Sequence, residues 1–371
     1  MLPIIRHTLN ELRTLFQKSW EWRIGYVLIG GFIAARWLGL FSSLELITLD
    51  FFLSHRLPEE RDDHVVIVLI DETNFQGDEK LTDAYLAELL EVILAADPAV
   101  VGLNIFRERS EDALGRSRLV NLFETHDNLI GVQKVLPPRE IPPLAGVSKT
   151  VAEQQFGIND IPIDRDGKIR RVFIGTYLPD ETPDIREDNP FKFSFSFEIA
   201  EKYLAARGYS LENLPADPVT PSFKAPQDSV FGGPSYIKIP RLRANFGGYV
   251  REKNIADIQT LLNFRAGTNT FAVFDAESLL NGNLNPKRLL NKAIIIGTID
   301  PFFPRFLPVS ASSNLVDEDS ESLEIFRIGV IGTELEAHST SQVINTVLDG
   351  RPLINAVYPL FEDTLIILSG I

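Results

Sequence analysis

Cysteine is absent from the 371 residues, methionine occurs once and histidine five times. Without cysteine there is no disulfide, no zinc–thiolate site, no iron–sulfur cluster and no thiol nucleophile. No two histidines stand at metal-ligand spacing, so neither a metal nor a cofactor is expected. A single methionine argues against a Met-lined adaptable groove. Also missing are a Gly-x-Ser-x-Gly elbow, a phosphate loop ending in Gly-Lys-Ser/Thr, a His-Glu-x-x-His pair and a Gly-x-Gly-x-x-Gly after a strand. The chain is therefore not expected to be an enzyme. A carboxylate-pair hydrolase, which has no fixed spacing, is the one class these absences leave untouched. Positive charge is short as well. The net charge is −15, which repels phosphate backbones and disfavours a nucleic-acid partner.

Apolar residues are plentiful, at 44%. Residues 24–41 (IGYVLIGGFIAARWLGLF) form a run of about the length a bilayer requires, with Trp20, Trp22 and Trp37 near its ends. Arg6, Arg13, Lys18 and Arg23 precede it, against Glu11 and Glu21. Basic flanks stay inside, so residues 1–23 are expected to be a cytoplasmic tail and 24–41 a transmembrane helix. Arg36 is the costly residue in this span unless it snorkels or finds a partner; its place toward the outer end favours snorkelling. A buried soluble helix and an in-plane amphipathic helix compete with the span. A cleaved signal peptide lacks a clean small-x-small site. Residues 356–371 (AVYPLFEDTLIILSGI) end apolar but too short to cross, and read as the start of a second transmembrane helix, or else as a buried terminal segment.

Between them, residues 65–70 (VVIVLI) and 100–106 (VVGLNIF) are β-branched, unbroken apolar runs suited to strands buried on both faces. Residues 83–96 carry apolar positions at helical spacing and stop at Asp97-Pro98. A helix over 112–125 and a strand over 129–133 follow. Alternating strands and helices predict a parallel, doubly wound sheet. Pro137, Pro138, Pro142 and Pro143 mark a loop, and Asp164-Arg165-Asp166-Gly167 a turn before a strand-like run at 168–177. A helix is expected at 194–207 and a long surface loop at 215–234. A buried strand follows at 292–297, a mobile acidic, Ser-rich stretch at 310–324, and a last helix at 331–349. The fold class is α/β: a mainly parallel sheet flanked by helices, with an inserted β-hairpin and loop region, bracketed by transmembrane helices.

In this order the motifs resemble the CHASE type 2 extracellular sensor domain, the kind associated with cyclases and histidine kinases. Leu49-Asp50-Phe51 with Arg56 resembles its opening Asp-plus-Arg motif, and Ile70-Asp71-Glu72 its Ile-Asp-Glu. Gly102 to Phe106 and Asp112 with Leu114 resemble the motifs that follow. Phe156-Gly157-Ile158-Asn159, Asp164 to Gly167 and Arg170-Arg171 resemble its central hairpin, and 289–298 its strand ending Ile-Gly-Thr. Gly332, Glu334 and Ala337 resemble its Gly-x-Glu-x-His-Ala helix start. The likeness runs from about 49 to 350. Asn104 stands where the family has Asp, Glu336 where it has His, and the family's Trp-Pro is absent. These departures bear on the site more than on the fold.

The resemblance implies that 42–355 is an extracytoplasmic, periplasmic or extracellular, signal-input module of a bacterial receptor in the inner or plasma membrane. Its output domain lies elsewhere, and its ligand is unidentified. A membrane-anchored scaffold making periplasmic protein contacts is the alternative. An unknown small ligand or periplasmic protein is the expected partner, and signalling of this kind usually needs a homodimer. Parallel sheets bind ligands at the carboxyl ends of their strands. That rule selects Asp71, Glu72, Arg107, Thr298 and Asp300 as candidate ligand-binding residues. The competing structural reading has Asp71 pin the next turn, with Glu72 uninvolved. Asp50 and Arg56 are candidate structural or signalling residues that could pair with each other. Glu334 and Glu336 join them, Glu334 sharing a helix face with His338 as an expected exposed pair. Asp164, Asp166 and Gly167 lack the remaining calcium ligands and read as a plain turn.

Overall fold

The structure is a computed structural model that describes residues 23–75, 81–109, 112–178, 191–227, 233–250, 258–267, 269–283, 285–299, 307–315 and 325–369. The expected tail up to Trp22, Asp300 and residues 316–324 lie outside the described residues. Two compact units emerge: one from Met1–Asp50, Leu242–Ala256 and Ala356–Ile371, the other from Phe51–Arg241 and Asp257–Asn355.

The larger unit is built on a six-stranded parallel sheet. Its strands are β1 (Val65–Asp71), β2 (Val100–Leu103), β3 (Leu129–Gln133), β4 (Phe156–Ile158), β11 (Ala272–Asp275) and β12 (Ala293–Ile299), in the order β11-β1-β12-β2-β3-β4. β12 inserts between β1 and β2, with Val65 to Asp71 paired in register to Ala293 to Ile299. Alternate residues of these runs feed two cores, as a sheet covered on both faces requires. Val66, Val68 and Ile70 pack with α3 (Asp83–Leu94) and α4 (Ala113–Thr125). Val65, Ile67 and Leu69 pack with α6 (Phe195–Ala205) and α8 (Gly332–Asp349). Short helices α5 (Lys149–Gln154) and α7 (Ala276–Leu280) complete the shell.

The helices start where their caps dictate. Thr82, Asp112 and Ser194 each accept a hydrogen bond from the third residue onward, at Tyr85, Gly115 and Phe197. Asp112 also takes the Ala84 N–H, so one carboxylate joins two helix starts.

The inserted region is antiparallel. β5 (Arg171–Tyr177) lies between β10 (Ile258–Leu261) and β6 (Phe191–Phe193), while β13 (Leu307–Leu315) pairs with β14 (Ile325–Val330). β7 (Ser210–Leu214), β8 (Asp217–Lys224) and β9 (Tyr236–Lys238) make a third small sheet. Two expectations are corrected here. The supposed surface loop at 215–234 contains β8, which buries Phe223 in the main core. Pro218 has no ladder partner and Pro221 takes part only through its carbonyl, which accepts from the Ile239 N–H, so their missing N–H groups cost no sheet bond. Likewise 310–315, expected to be mobile, belongs to β13 and is laddered to β14.

In the smaller unit, helix α1 (Arg23–Trp37) is followed by α2 (Ser42–Ser54), whose last turn belongs to the larger unit. α1 ends in a turn with Gly39 at φ +77, a left-handed position that suits glycine. Among the described residues no single helix is long and apolar enough to cross a membrane. α1 and α2 pass that test together but are bent by 77° at their break. The expected second segment forms α9 (Pro359–Ser369). Arg36 has a partner rather than only the snorkelling route: its Nη1 donates to Asp363 Oδ1 at 2.9 Å, and it also contacts Glu362.

Candidate functional site

A pocket of about 570 Å³ opens at the carboxyl ends of the parallel strands. It is lined by Glu72 after β1, Thr298 and Ile299 of β12, Asn104 and Phe106 after β2, Lys134 after β3 and Asn159 after β4. Ile161, Leu307 and the start of α8, Ile331 to Thr333, close it. Pockets form here because strand ends diverge where the crossovers leave the sheet. Gly297 lets α8 come close: a Cβ there would lie 1.9 Å from Thr333 Oγ1. Ile331 supplies no side-chain cap to α8.

Of the sequence-selected ligand residues, the structure brings Glu72 and Thr298 into this pocket. Asp71 instead holds the turn, its Oδ1 accepting from the Thr73 N–H at 2.8 Å and the Thr73 hydroxyl at 2.6 Å. Arg107 faces another way. Its Nε donates to Asp83 Oδ1 at 2.6 Å and its Nη1 to the Leu81 carbonyl at 3.0 Å, while Arg116 holds the other Asp83 oxygen. It serves the start of α3 because Asp83 is wholly buried and needs its charge balanced.

Lys134, Asn104 and Asn159 were not selected as ligand residues. The strand-end rule would have found them if applied to every strand in turn, for each directly follows one. Asn159 Nδ2 donates to Asn104 Oδ1 at 2.5 Å, and Lys134 Nζ lies 3.6 Å from Asp160 Oδ1.

From the pocket, α8 runs through the interior carrying an unusual load of buried polar side chains. Glu334 and His338, expected as an exposed pair, are 1% and 2% exposed, with His338 Nε2 3.9 Å from Glu334 Oε1. The segment 263–265 runs beside the helix and satisfies His338 and Gln342. The Arg265 N–H donates to His338 Nδ1, and the Asn263 N–H to Gln342 Oε1. Burial first, then the charges of Arg351 and Arg265, push the His338 imidazole down to about 3. Burial pushes the Glu336 carboxyl up to about 7, with a hydrogen bond to Ser196 acting the other way.

Asp62 anchors the same helix. Its Oδ2 accepts from Ser341 at 2.5 Å, Asn345 at 2.7 Å and Arg265 at 3.0 Å, and its Oδ1 from the N–H groups of His64 and Val65. Burial would raise this carboxyl, but these hydrogen bonds and the Arg265 charge bring it below its ordinary value.

At the far end of α8, Gly350 takes a left-handed cap and Arg351 turns back. Its Nε donates to Glu59 Oε2 at 2.7 Å and its Nη2 to Oε1 at 3.0 Å, and it also reaches the carbonyls of Asn263 and Phe264. Arg56 holds the same two residues, through Asn263 Oδ1 and the Phe264 carbonyl. Burial would raise the Glu59 carboxyl; the Arg351 hydrogen bonds, the Ala266 N–H and the charges of Arg351 and Arg56 bring it down to about 2. The segments by which the chain first enters and finally leaves the larger unit are thus tied to one short stretch, 263–264.

The Asp164 turn is not a cation site in disguise. Its carboxylate takes Arg170 Nη1 and Arg171 Nε, both at 2.8 Å, and Asp166 takes Arg170 as well. Two buried arginines occupy the oxygens a calcium ion would need.

Comparison with curated proteins and with solved structures yields no match. The family model described as CHASE2 domain matches residues 27–371, essentially the whole chain. The ordered motifs, the parallel sheet and this match agree, and the chain belongs to the CHASE2 family of sensory domains.

Proposed function

We propose that the chain is the extracytoplasmic signal-input part of a bacterial membrane receptor. A small polar ligand enters the strand-end pocket, and the domain passes the shift it selects to flanking membrane helices. The observation that carries this is the course of α8. It begins in the pocket wall at Gly332 and Thr333 and ends at the Arg351–Glu59 clamp beside the points where the chain enters and leaves. A helix of 18 residues is about 27 Å long and moves largely as a rod. A ligand that favours one position of its amino end therefore biases the other end by its differential affinity for the two states. The basic flank before residue 24, the apolar α1–α2 pair and α9 support placing the chain in the inner or plasma membrane, amino terminus inside. A homodimer would let two such units exert force on each other.

The test is native mass spectrometry of the full chain released gently from detergent micelles. A reproducible bound mass that disappears in Thr298→Tyr, which fills the pocket, is the expected result. A ligand-free mass with co-purified protein in its place would overturn the small-ligand reading and favour a membrane-anchored scaffold.

A further inference from the structure

We propose that the pocket takes a small zwitterion with an aliphatic side chain, an amino acid or a dipeptide, with its ammonium on Glu72 and its carboxylate on Lys134. This rests on the pocket being the ligand site, as argued above.

Among the described residues that line the pocket, two are charged, and they are opposite in sign. Glu72 and Lys134 follow β1 and β3, which are separated by β12 and β2. Three strand spacings put the two backbones roughly 14 Å apart, a gap that a short ligand bridges between two side chains. Glu72 is solvent-exposed, and no hydrogen bond or ion pair to another described residue engages it. A ligand that covers this carboxylate must bring a cation, or the buried charge goes uncompensated.

That cation is organic rather than metallic. Among the described residues no group of three or more His, Cys, Asp or Glu comes together, and a lone carboxylate is a poor cage for a divalent ion. Lys134 retains donors for an anion. An ammonium carries three, and its separation from Asp160 is 3.6 Å, beyond a normal hydrogen bond.

Between the charged ends, the Asn104–Asn159 amide pair and the Thr298 hydroxyl supply neutral donors and acceptors. Phe106, Ile161, Leu307 and Ile331 offer an apolar wall for a side chain. The volume is at the lower-middle of the range for small-molecule sites, so a dipeptide fits as well as an amino acid.

Calorimetric titration of the full chain in micelles with L-leucine and glycyl-L-leucine, beside N-acetyl-L-leucine and L-leucinamide, tests this. At least one zwitterion should bind, and each ligand lacking one charge should bind at least 10-fold more weakly. Glu72→Gln should weaken the zwitterion at least 10-fold and leave N-acetyl-L-leucine unchanged. Because Glu72 is exposed, that variant folds, and Lys134→Met supplies the mirror-image result with L-leucinamide. Equal binding of a singly charged analogue, or an unchanged affinity in Glu72→Gln, overturns the proposal. If neither zwitterion binds while the native mass still shows a ligand lost in Thr298→Tyr, the zwitterion is wrong and the pocket remains the ligand site. If neither binds and no mass is seen, both fall.

Discussion

Arg36 on the first described helix and Asp363 on the last form a buried ion pair, Nη1 to Oδ1 at 2.9 Å, with side chains 8% and 13% exposed. Trp37 Nε1 donates to the other Asp363 oxygen at 2.9 Å. A charge in an apolar helix is costly alone, and here its partner comes from the opposite end of the chain. Asp363→Leu should therefore leave the guanidinium with Glu362 as its remaining carboxylate and destabilise the micellar protein by up to about 3 kcal/mol, the lower bound for a buried charge left unpaired. The double variant Arg36→Leu, Asp363→Leu should recover most of that loss. Glu362, which is more exposed, should matter less. Thermal melts of the wild type, the single and the double variant in one detergent decide; a double variant as unstable as the single one would contradict the pairing.

Glu59 and Arg351 should be strongly coupled. Their two parallel hydrogen bonds have fork-to-fork geometry, so a double-mutant cycle on urea unfolding is expected to return about 1–3 kcal/mol. Arg351→Lys should behave nearly as badly as Arg351→Ala, because an ammonium cannot reproduce the fork or reach both carbonyls. Coupling below about 0.5 kcal/mol would reduce the clamp to a surface ion pair.

The interior carboxyl of Glu336 imposes a pH dependence whose sign can be worked out. Its folded value of about 7 lies above the ordinary 4.5. Below 4.5 both folded and unfolded chains hold the proton and the contribution is complete. As pH rises toward 7 the unfolded chain releases it first, so stability is lost across that window. His338, lowered from 6.5 to about 3, acts oppositely: its contribution is present above 6.5 and falls away as pH drops toward 3. Relative to Glu336→Gln, the wild-type protein should lose up to about 3 kcal/mol between pH 4.5 and 7.5. Urea midpoints at the two pH values measure this, and parallel curves would show that Glu336 titrates normally.

Two strand glycines should differ sharply on replacement by alanine. At Gly157 a new Cβ would meet the Phe195 backbone at 2.5 and 2.6 Å, where α6 begins, and that backbone cannot give way without moving the helix. At Gly102 it would meet side-chain ends instead, Ile199 Cδ1 at 2.3 Å and Phe195 Cζ at 2.7 Å. Gly157→Ala is expected to cost about 3 kcal/mol or more, above the usual overpacking range, and Gly102→Ala about 1–3 kcal/mol. Chemical denaturation of both variants tests the order, and a reversal would place the tighter constraint at β2.

Much of the scaffold could be read directly from the residues. β3 coincides with the expected 129–133, and β1, β12, α3 and α4 fall within a few residues of their expected positions. The site was only half legible. The strand-end rule selected Glu72, Thr298 and Arg107 alike; Glu72 and Thr298 line the pocket, and Arg107 does not. Its engagement by Asp83, 24 residues earlier, depends on where α3 docks. Lys134 and Asn159 each directly follow a strand, but nothing local says that β3 and β4 end at the same pocket.

What the sequence determined alone is an α/β domain with a parallel sheet. Unbroken β-branched runs such as 65–70 and 292–297 are too apolar for any place but a sheet covered on both faces, and the order of motifs identifies the family. Only the tertiary structure decided that β12 enters between β1 and β2, and that the polar helix α8 lies inside. Hydropathy records each residue's preference for or against water. Whether Ser341, Asn345 or His338 can be buried depends instead on partners, Asp62 and Arg265, supplied from distant parts of the chain.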